Sequence, residues 1–393
     1  MNIEIKKNFI FNFFAFILMF FLVFDLKLIG SIGSALITFS ICFFIIVINH
    51  KKYYIYLQNI FNIYWFFFFT YFFLILYVFL RFLFSSMDDY SYVLTTLKTT
   101  LVLISTLAYL VVFNQSNLKK NLFNIFFINA CICLFLGTFP ELKFLIYPFK
   151  YGDDPSTSLI GQSEYRDAVL AGSSYFGVSS LFGLVFAFCL KLSLESGKLF
   201  DYIKLIVIAF AGILLGRVAL LCYLISMLYF FIVKKNIKVL LLSIITFAIC
   251  IIVLNTFPAL ENAKIWIFEM FLDNGVGNSE SVDQLKNMIY LPENQLSLLF
   301  GDARYGSSDS YYGGTDSGYI RNILFGGISF LMVLMISFLS IFHKNIKNSF
   351  TWLIIFLCMF LHFKGVFIFN NPGFFGILLI VVFILNQKKS IAE

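Results

Sequence analysis

Residues 203–233 have the sequence IKLIVIAFAGILLGRVALLCYLISMLYFFIV, and the membrane topology of the whole chain depends on how this stretch is divided. As one helix of 31 residues it would be about 46 Å long at 1.5 Å per residue, whereas the hydrocarbon core of a bilayer is about 30 Å thick. One helix would also place Arg217 near the membrane centre, at a cost of roughly 2.5–3.5 kcal/mol. The sequence therefore predicts two short helices, 203–215 and 217–233, that meet in a hairpin at Gly216 and Arg217.

The composition of the chain indicates a membrane protein. Of 393 residues, 61% are hydrophobic and 12% are charged, and the mean hydropathy is +0.92. Soluble domains carry about 25% charged residues. This shortage of charge excludes a soluble enzyme, a disordered protein, a secreted disulfide scaffold and a DNA-binding domain, so the net charge of +7 indicates no nucleic-acid partner. The seven cysteines lie in apolar runs and are predicted to be small buried hydrophobic residues.

The apolar runs predict an all-α polytopic membrane protein with about 12 transmembrane helices and two long outer loops. The predicted domains are helices 1–5 in 1–139, the first long loop in 140–172, helices 6–9 in 173–256, the second long loop in 257–318 and helices 10–12 in 319–393. The predicted spans are 9–24, 28–49, 61–84, 93–113, 122–139, 173–192, 203–215, 217–233, 238–256, 319–342, 350–366 and 373–386.

Charge then orients these spans. With the break at Gly216, every lysine pair falls on one side, which the positive-inside rule identifies as the cytoplasm, so both termini are predicted to be cytoplasmic. All five arginines fall on the opposite side, and Arg offers a planar, permanent charge that matches phosphate or carboxylate oxygens. Segregation by chance is the alternative. The lysine pairs are Lys6/Lys7, Lys51/Lys52, Lys119/Lys120, Lys234/Lys235 and Lys388/Lys389, and the arginines are Arg81, Arg166, Arg217, Arg304 and Arg321.

Each long outer loop contains a candidate binding region. In the first, Arg166 precedes a helix start rich in small residues, with Gly177 one turn further on, so an anion site and a simple capped helix are equally good interpretations. In the second, residues 301–318 are rich in Tyr, Asp, Ser and Gly, a composition suited to sugars, although it also fits an ordinary polar loop. A membrane-surface helix is predicted at 259–273, and a capping box at Ser281–Gln284 predicts another short helix.

Several short motifs together resemble bacterial polysaccharide-repeat polymerases of the O-antigen polymerase (Wzy) type, which are related to the O-antigen ligases. The resemblance covers most of the chain in its layout of spans and outer loops. One departure is that Arg304 and Gly314 are separated by nine residues instead of ten. The motifs are Arg166 and Gly177 with ten residues between them, Gly216-Arg217-Val218-Ala219, Asp316-Ser317-Gly318-Tyr319-Ile320, Gly326-Gly327-Ile328 and Asn370-Asn371-Pro372.

The resemblance implies a GT-C-like fold and a metal-independent glycosyltransferase of the inner membrane that needs no cofactor. Such an enzyme polymerises undecaprenyl-diphosphate-linked oligosaccharide repeat units into O-antigen or capsule on the periplasmic side, with membrane lipid and a chain-length regulator as further partners. Ligases tend to carry His where Asp316 stands, which favours a polymerase. A ligase and a lipid-linked oligosaccharide flippase remain the alternatives. Carried onto this chain, the catalytic candidates are Asp316, Arg217 and Arg166, and the substrate-binding candidates are Arg304, Arg321, Tyr319, Asp309, Gly177 and His362.

The topology is directly testable. Reporter fusions placed after residues 216 and 290 are expected to give a periplasmic signal, because both positions follow an odd number of predicted spans from a cytoplasmic N-terminus. The measurement is paired alkaline phosphatase and green fluorescent protein activity. A cytoplasmic signal at residue 290 would overturn the topology and the segregation of the arginines.

Overall fold

The computed structural model of the chain forms two compact units, each built from two separate pieces of sequence. Unit 1 contains Met1–Thr38 and Gln115–Ser279, and unit 2 contains Phe39–Asn114 and Glu280–Glu393. The structure describes residues 2–30, 32–85, 89–114, 116–151, 165–173, 175–235, 237–257, 260–272, 288–306 and 312–387.

Helices make up nearly all of the described chain. Six of them are long and apolar enough to cross a membrane: His50–Leu83, Ser91–Phe113, Leu118–Thr138, Phe176–Ser196, Ile237–Thr256 and Gly318–Ser340. The chain is therefore an all-α, multi-pass type of membrane protein. The helices are α1 (Asn2–Phe24), α2 (Ala35–Ile48), α3 (His50–Leu83), α4 (Ser91–Phe113), α5 (Leu118–Thr138), α6 (Tyr175–Ser196), α7 (Leu199–Leu215), α8 (Arg217–Ile232), α9 (Ile237–Thr256), α10 (Glu261–Leu272), α11 (Gln295–Phe300), α12 (Gly318–Ser340), α13 (Ser349–Lys364) and α14 (Pro372–Gln387).

The predicted span 28–49 differs from the structure at its start. A short antiparallel hairpin of β1 (Lys27–Ile29) and β2 (Ile32–Gly33) occupies the first part, and α2 begins only at Ala35. The polar side chains before α2 explain this late start. The Asp25 carboxylate accepts a hydrogen bond from the Ala35 N–H (3.1 Å), and the Ser34 hydroxyl oxygen accepts one from the Leu26 N–H (2.8 Å), so both stabilise the turn.

Unit 1 contains the break in residues 203–233 that length and charge predict. α7 ends at Leu215, α8 begins at Arg217, and Gly216 between them is extended. Small residues are required in this hairpin because neighbouring side chains approach its backbone closely. A Cβ atom at Gly216 would lie 2.6 Å from the Ser179 hydroxyl of α6, and one at Gly212 would lie 1.8 Å from the Tyr223 hydroxyl of α8. The two short helices therefore pack against α6 and against each other at close range.

Unit 2 contains a second break, within α12. The helix is interrupted at Gly327, whose φ of 73° and ψ of −175° fall in a region that essentially only glycine adopts. Interrupting a helix leaves carbonyl groups without their usual donors, and hydrocarbon offers none. Here the N–H groups of Asp302 and Ala303 supply them, donating to the carbonyls of Leu324 (2.7 Å) and Phe325 (2.9 Å).

Side chains from α3 and α12 complete this junction between the end of α11 and the break in α12. The Tyr77 hydroxyl donates to the Gly326 carbonyl (2.7 Å), the Ser329 hydroxyl donates to the Leu299 carbonyl (2.7 Å), and the Arg81 guanidinium donates to the Gly301 carbonyl. A Cβ atom at Gly327 would lie 2.1 Å from the Leu299 carbonyl oxygen. We call these contacts the α11–α12 junction.

The loops and helix ends of unit 2 gather at two ends of the unit. The Asp89 loop contacts the backbone of residues 305 and 306, and Tyr305 contacts Asn370, so three loops predicted to be periplasmic lie together. At the opposite end, the Gln387 carboxamide donates to the Asn114 carbonyl (3.2 Å), which joins two ends predicted to be cytoplasmic. We refer to these as the outer and inner ends of unit 2, following the predicted orientation.

Substituting Gly327 with Ala is expected to destabilise the protein far more than substituting Gly314. Both glycines have positive φ, but a Cβ atom at Gly314 meets no atom within 4 Å, whereas one at Gly327 collides with the α11–α12 junction. Backbone strain alone costs about 1 kcal/mol, so we expect the free energy of unfolding to fall by about that amount for Gly314→Ala. For Gly327→Ala we expect it to fall by at least about 3 kcal/mol. Equal effects of the two substitutions, measured on purified protein in detergent, would contradict the assignment of a backbone junction at Gly327.

Candidate functional site

The outer end of unit 2 contains a largely buried cluster of polar side chains. Helices α4, α12 and α13, the residue Asp89 just before α4, and the loops that follow α11 and α13 bring these residues together. We call it the outer cluster; its members are Asp89, Tyr92, Tyr305, Arg321, Asn322, His362 and Asn370.

Arg321 is the charged residue at the centre of the outer cluster. It lies in the second turn of α12 and is only 6% exposed. Its guanidinium carbon lies 4.0 Å from the centroid of the Tyr305 ring, and its Nη2 donates to the Tyr305 carbonyl oxygen (3.3 Å). A cation stacked on an aromatic face and tied to a carbonyl is held in one orientation. Arg321 is therefore a fixed positive charge beneath the outer surface of unit 2.

The loop that carries Tyr305 is held by the carboxylate of Asp89. One oxygen accepts hydrogen bonds from the N–H groups of Tyr305 (2.5 Å) and Gly306 (2.8 Å), and the other accepts from the N–H (2.9 Å) and hydroxyl (2.5 Å) of Ser91. Partial burial opposes ionisation of Asp89, but these four hydrogen bonds favour the carboxylate and lower its pKa below the ordinary value. Asp89 therefore holds Ser91 at the start of α4 and clamps the 305–306 loop in the same arrangement.

His362 is completely buried in the last turn of α13, and its hydrogen bonds decide its protonation state. Nδ1 accepts hydrogen bonds from the N–H groups of Phe367 (3.2 Å) and Ile368 (3.1 Å), so the proton of the neutral ring lies on Nε2. Nε2 lies 2.9 Å from the side-chain amide of Asn322, which then presents its oxygen to it, since the two amide atoms are assigned from the network. With both nitrogens engaged, His362 stabilises the turn after α13 and is poorly suited to act as a base.

Two other predicted residues line the same end of unit 2. The Tyr319 hydroxyl donates to the Met359 carbonyl (3.1 Å), and its ring meets the His362 ring edge-on at 4.9 Å, which ties α12 to α13. Asp316 is exposed in the segment just before α12. Its neighbours are fixed because the Thr315 hydroxyl donates to the Met288 carbonyl (2.8 Å). Asp316 is therefore a solvent-accessible carboxylate on an ordered backbone.

Arg304 differs from Arg321 in its exposure. It lies on the surface, with its guanidinium carbon 5.8 Å from the centroid of the Tyr312 ring. The preceding residue, Ala303, has a positive φ of 57° because it lies in the α11–α12 junction. The junction therefore directs two successive residues to different environments, with Arg304 exposed and Tyr305 buried.

Unit 1 holds the other two arginines of the predicted site. Arg217 is half-buried in the first turn of α8, where backbone N–H groups lack intrahelical partners and the helix dipole favours an anion. Arg166 is half-buried in a turn at residues 165–167. Asn129 of α5 docks the segment after that turn, since its side chain both donates to (3.0 Å) and accepts from (3.1 Å) the backbone of Leu170. Gly177 is buried near the start of α6.

A buried ion pair fixes the residue next to Arg166. The Lys143 ammonium contacts the Asp167 carboxylate at 2.7 Å, and the Tyr147 hydroxyl donates to the same carboxylate (3.2 Å). The Lys150 ammonium donates to the Asp167 carbonyl. Burial lowers the pKa of Lys150 to about 8 although the Asp167 carboxylate opposes the shift. Charged contacts around Asp167 therefore join the two described parts of the first outer loop, residues 140–151 and 165–172.

The predicted site residues divide between the two units. Within the described part of the chain, no group of three His, Cys, Asp or Glu side chains is arranged to hold a metal ion. Asp309 and the capping box at 281–284 lie outside the described residues. Unit 1 contains Arg166, Gly177 and Arg217, and unit 2 contains Arg304, Asp316, Tyr319, Arg321 and His362.

Sequence reasoning missed most of the outer cluster. Asp89 contacts residues 305 and 306, which lie 216 and 217 positions away in sequence. Tyr92 and Asn322 belong to no motif. Tyr305 lies in the Tyr-rich stretch 301–318, but that composition does not predict its contact with Arg321. Asn370, which contacts the Tyr305 hydroxyl, belongs to the Asn370-Asn371-Pro372 motif, so the resemblance did mark it.

Comparison with known proteins assigns this chain to no family. No protein-family model matches the sequence, and neither a curated protein nor a solved structure matches it. The resemblance to the polymerases therefore depends on the layout of the chain and its short motifs.

The clamp made by Asp89 predicts a pH-dependent contribution to stability. Asp89→Asn places an N–H₂ group against backbone N–H donors, so we expect a loss of about 1–3 kcal/mol at pH 7. Because the folded-state pKa of Asp89 is lowered, the contribution is present above the ordinary value of 3.8 and is lost as the pH falls below it. The difference between wild type and variant in unfolding experiments should therefore shrink at low pH.

The matched control is Asp316→Asn, since Asp316 is exposed and should change stability by less than about 0.5 kcal/mol. A pH-independent difference for Asp89→Asn, or an equal loss for both variants, would rule out the clamp.

Proposed function

We propose that this protein is a polysaccharide polymerase of the bacterial inner membrane. In this proposal it crosses the membrane about twelve times with both termini in the cytoplasm. It transfers a growing glycan from undecaprenyl diphosphate to the sugar of a lipid-linked repeat unit on the periplasmic side. The observation that carries the proposal is the buried, rigid Arg321 at the outer end of unit 2.

The leaving group of this reaction explains the need for fixed cations. The bond between the anomeric carbon and a diphosphate oxygen breaks, and the diphosphate leaves with additional negative charge. Positive groups that are already oriented stabilise such charge without reorganising during the reaction. In the proposed assignment, Arg321 of unit 2 serves this purpose, and exposed Arg304 contributes to substrate binding. Within unit 1, Arg166 and Arg217 are the proposed cations for a phosphate group of the lipid-linked substrate.

The acceptor hydroxyl needs a proton acceptor, and Asp316 is the proposed base. The new bond forms between the acceptor oxygen and the anomeric carbon, and the hydroxyl proton passes to the Asp316 carboxylate. Its exposure and its ordered backbone support this role, whereas both ring nitrogens of His362 are engaged in the turn after α13. The Tyr and Gly residues of the second outer loop, together with Tyr319, are proposed to contact sugar rings.

The proposal predicts a specific loss of long-chain polymer. In a deletion strain, plasmid-borne Arg166→Ala, Arg217→Ala and Asp316→Asn should each reduce long-chain polymer by about 100-fold, because each removes a transition-state contact. The measurement is the chain-length ladder of extracted glycan, normalised to the amount of protein in the membrane. Lys264→Gln is the matched control, since Lys264 is a predicted outer cation of unit 1 that lies 3.7 Å from Glu261 on the exposed side of α10.

The untransformed deletion strain separates the alternatives. A polymerase mutant retains single repeat units on its lipid carrier or core, whereas loss of even these units would favour a flippase or a ligase. Normal ladders in both arginine variants would refute the proposed arginine site.

A further inference from the structure

The inner end of unit 2 contains a cavity of about 690 Å³ that none of the proposed polymerase chemistry uses. Its wall combines the first turns of α3 with the last residues of α4 and α14 and the segment after α12. This volume is in the range of small-molecule sites in proteins. The lining residues are Tyr56, Asn59, Ile60, Asn62, Ile63, Leu110, Asn114, Lys344, Phe383, Asn386 and Gln387.

The described lining of this cavity is mostly polar. Five of these residues are carboxamides, one is Lys344, and no acidic residue is among those that the structure describes there. Buried carboxamides are costly unless they meet hydrogen-bonding partners. The described wall therefore combines one cationic side chain with several neutral hydrogen-bonding groups.

The hydrogen bonds within the wall show which side-chain atoms can still bond to a ligand. The side-chain amide groups of Asn114 and Asn386 donate to carbonyls of their own helices, at Val111 (2.9 Å) and Val382 (3.1 Å). Their side-chain oxygens can therefore accept hydrogen bonds, as suits hydroxyl groups. Asn59 and Asn62 lie three positions apart on one exposed face of α3 and form no side-chain hydrogen bond with a described residue.

We propose that this cavity binds a phosphate ester that carries a hydroxylated substituent, as in the head group of phosphatidylglycerol or in soluble glycerol phosphate. Lys344 contacts the phosphate, and the carboxamides contact the phosphate oxygens and the hydroxyl groups. The described lining contains no acidic residue, which favours an anion, and the acceptor oxygens of Asn114 and Asn386 favour a substituent with hydroxyls over a quaternary ammonium head group. The partly exposed Ile63 side chain offers an apolar contact to an adjoining carbon chain, whereas Ile60, Leu110 and Phe383 are buried behind it.

Binding of defined probes to the purified full-length protein tests this site. Dihexanoyl-phosphatidylglycerol, dihexanoyl-phosphatidylcholine and glycerol phosphate are titrated separately, and affinity is measured by thermophoresis. We expect phosphatidylglycerol to bind at least about tenfold more tightly than phosphatidylcholine. If glycerol phosphate binds as well, the head group alone is sufficient for binding. If only phosphatidylglycerol binds, the ligand is a lipid. Equal binding of the two lipids would overturn the proposal.

Two substitutions locate the binding in this cavity. Lys344→Gln is expected to weaken phosphatidylglycerol binding about tenfold, because it removes the charged contact. Lys347→Gln is the matched control, since Lys347 is also exposed in the segment after α12 but does not line the cavity. Equal weakening by both variants would show a general attraction to positive charge and would overturn the site.

A third variant tests the carboxamides without changing charge. Asn62→Leu keeps the number of side-chain heavy atoms and their branching on the exposed face of α3, and should weaken binding at least threefold while leaving the unfolding midpoint of the ligand-free protein unchanged. Unaltered affinity of this variant would exclude the proposed role of the α3 carboxamides. Because the site lies at the inner end of unit 2, these outcomes are independent of whether the protein polymerises glycan.

Discussion

The organisation of unit 2 depends on one constraint, which is that hydrocarbon cannot form hydrogen bonds with an exposed peptide group. Once α12 breaks at Gly327, the carbonyls of Leu324 and Phe325 need donors from within the protein. The N–H groups of Asp302 and Ala303 are those donors, so the loop after α11 has one possible position. That position fixes Tyr305 two residues later, and Tyr305 in turn fixes Arg321 by stacking and by its carbonyl. The need for hydrogen bonds at the break in α12 therefore determines where the Arg321 guanidinium lies.

The same logic explains why the outer cluster is rigid. Donors and acceptors are matched at two of its members, since four donors surround the Asp89 carboxylate and two N–H groups donate to His362 Nδ1. A network with matched donors and acceptors at low dielectric resists rearrangement more than isolated pairs do. In a reaction that develops charge on a diphosphate, such rigidity is useful because the cation does not need to reorient as the charge appears.

Sequence reasoning succeeded where the signal is local and failed where the contact is distant. The helical class and the break at Gly216 follow from length, hydropathy and the cost of a charge at mid-membrane, all of which are properties of a continuous segment. The hairpin at residues 27–33 was missed because its residues are nearly as apolar as a span, and only the Asp25 and Ser34 hydrogen bonds show that α2 starts later. The break at Gly327 was not predicted, because a glycine pair in a membrane helix is equally typical of close helix packing. The outer cluster could not be predicted for a stronger reason, since Asp89 and Tyr305 lie 216 positions apart in the sequence and no local pattern pairs them.

The two ends of unit 2 use positive charge in different ways, and side-chain chemistry explains the difference. At the outer end, a planar guanidinium is buried against an aromatic ring and a carbonyl, which suits an oxyanion held in one geometry. At the inner end, Lys344 is an exposed point charge on a flexible stem beside neutral carboxamides, which suits a ligand that exchanges with the membrane or the solvent. The helices α3, α4, α12 and α14 extend between these ends, and buried hydroxyls tie them together, as where Tyr64 donates to the Leu379 carbonyl (2.7 Å). If the proposed ligand binds only the folded inner end, it stabilises those helices by mass action, and the stability of the outer cluster then rises with ligand concentration without any change in its geometry.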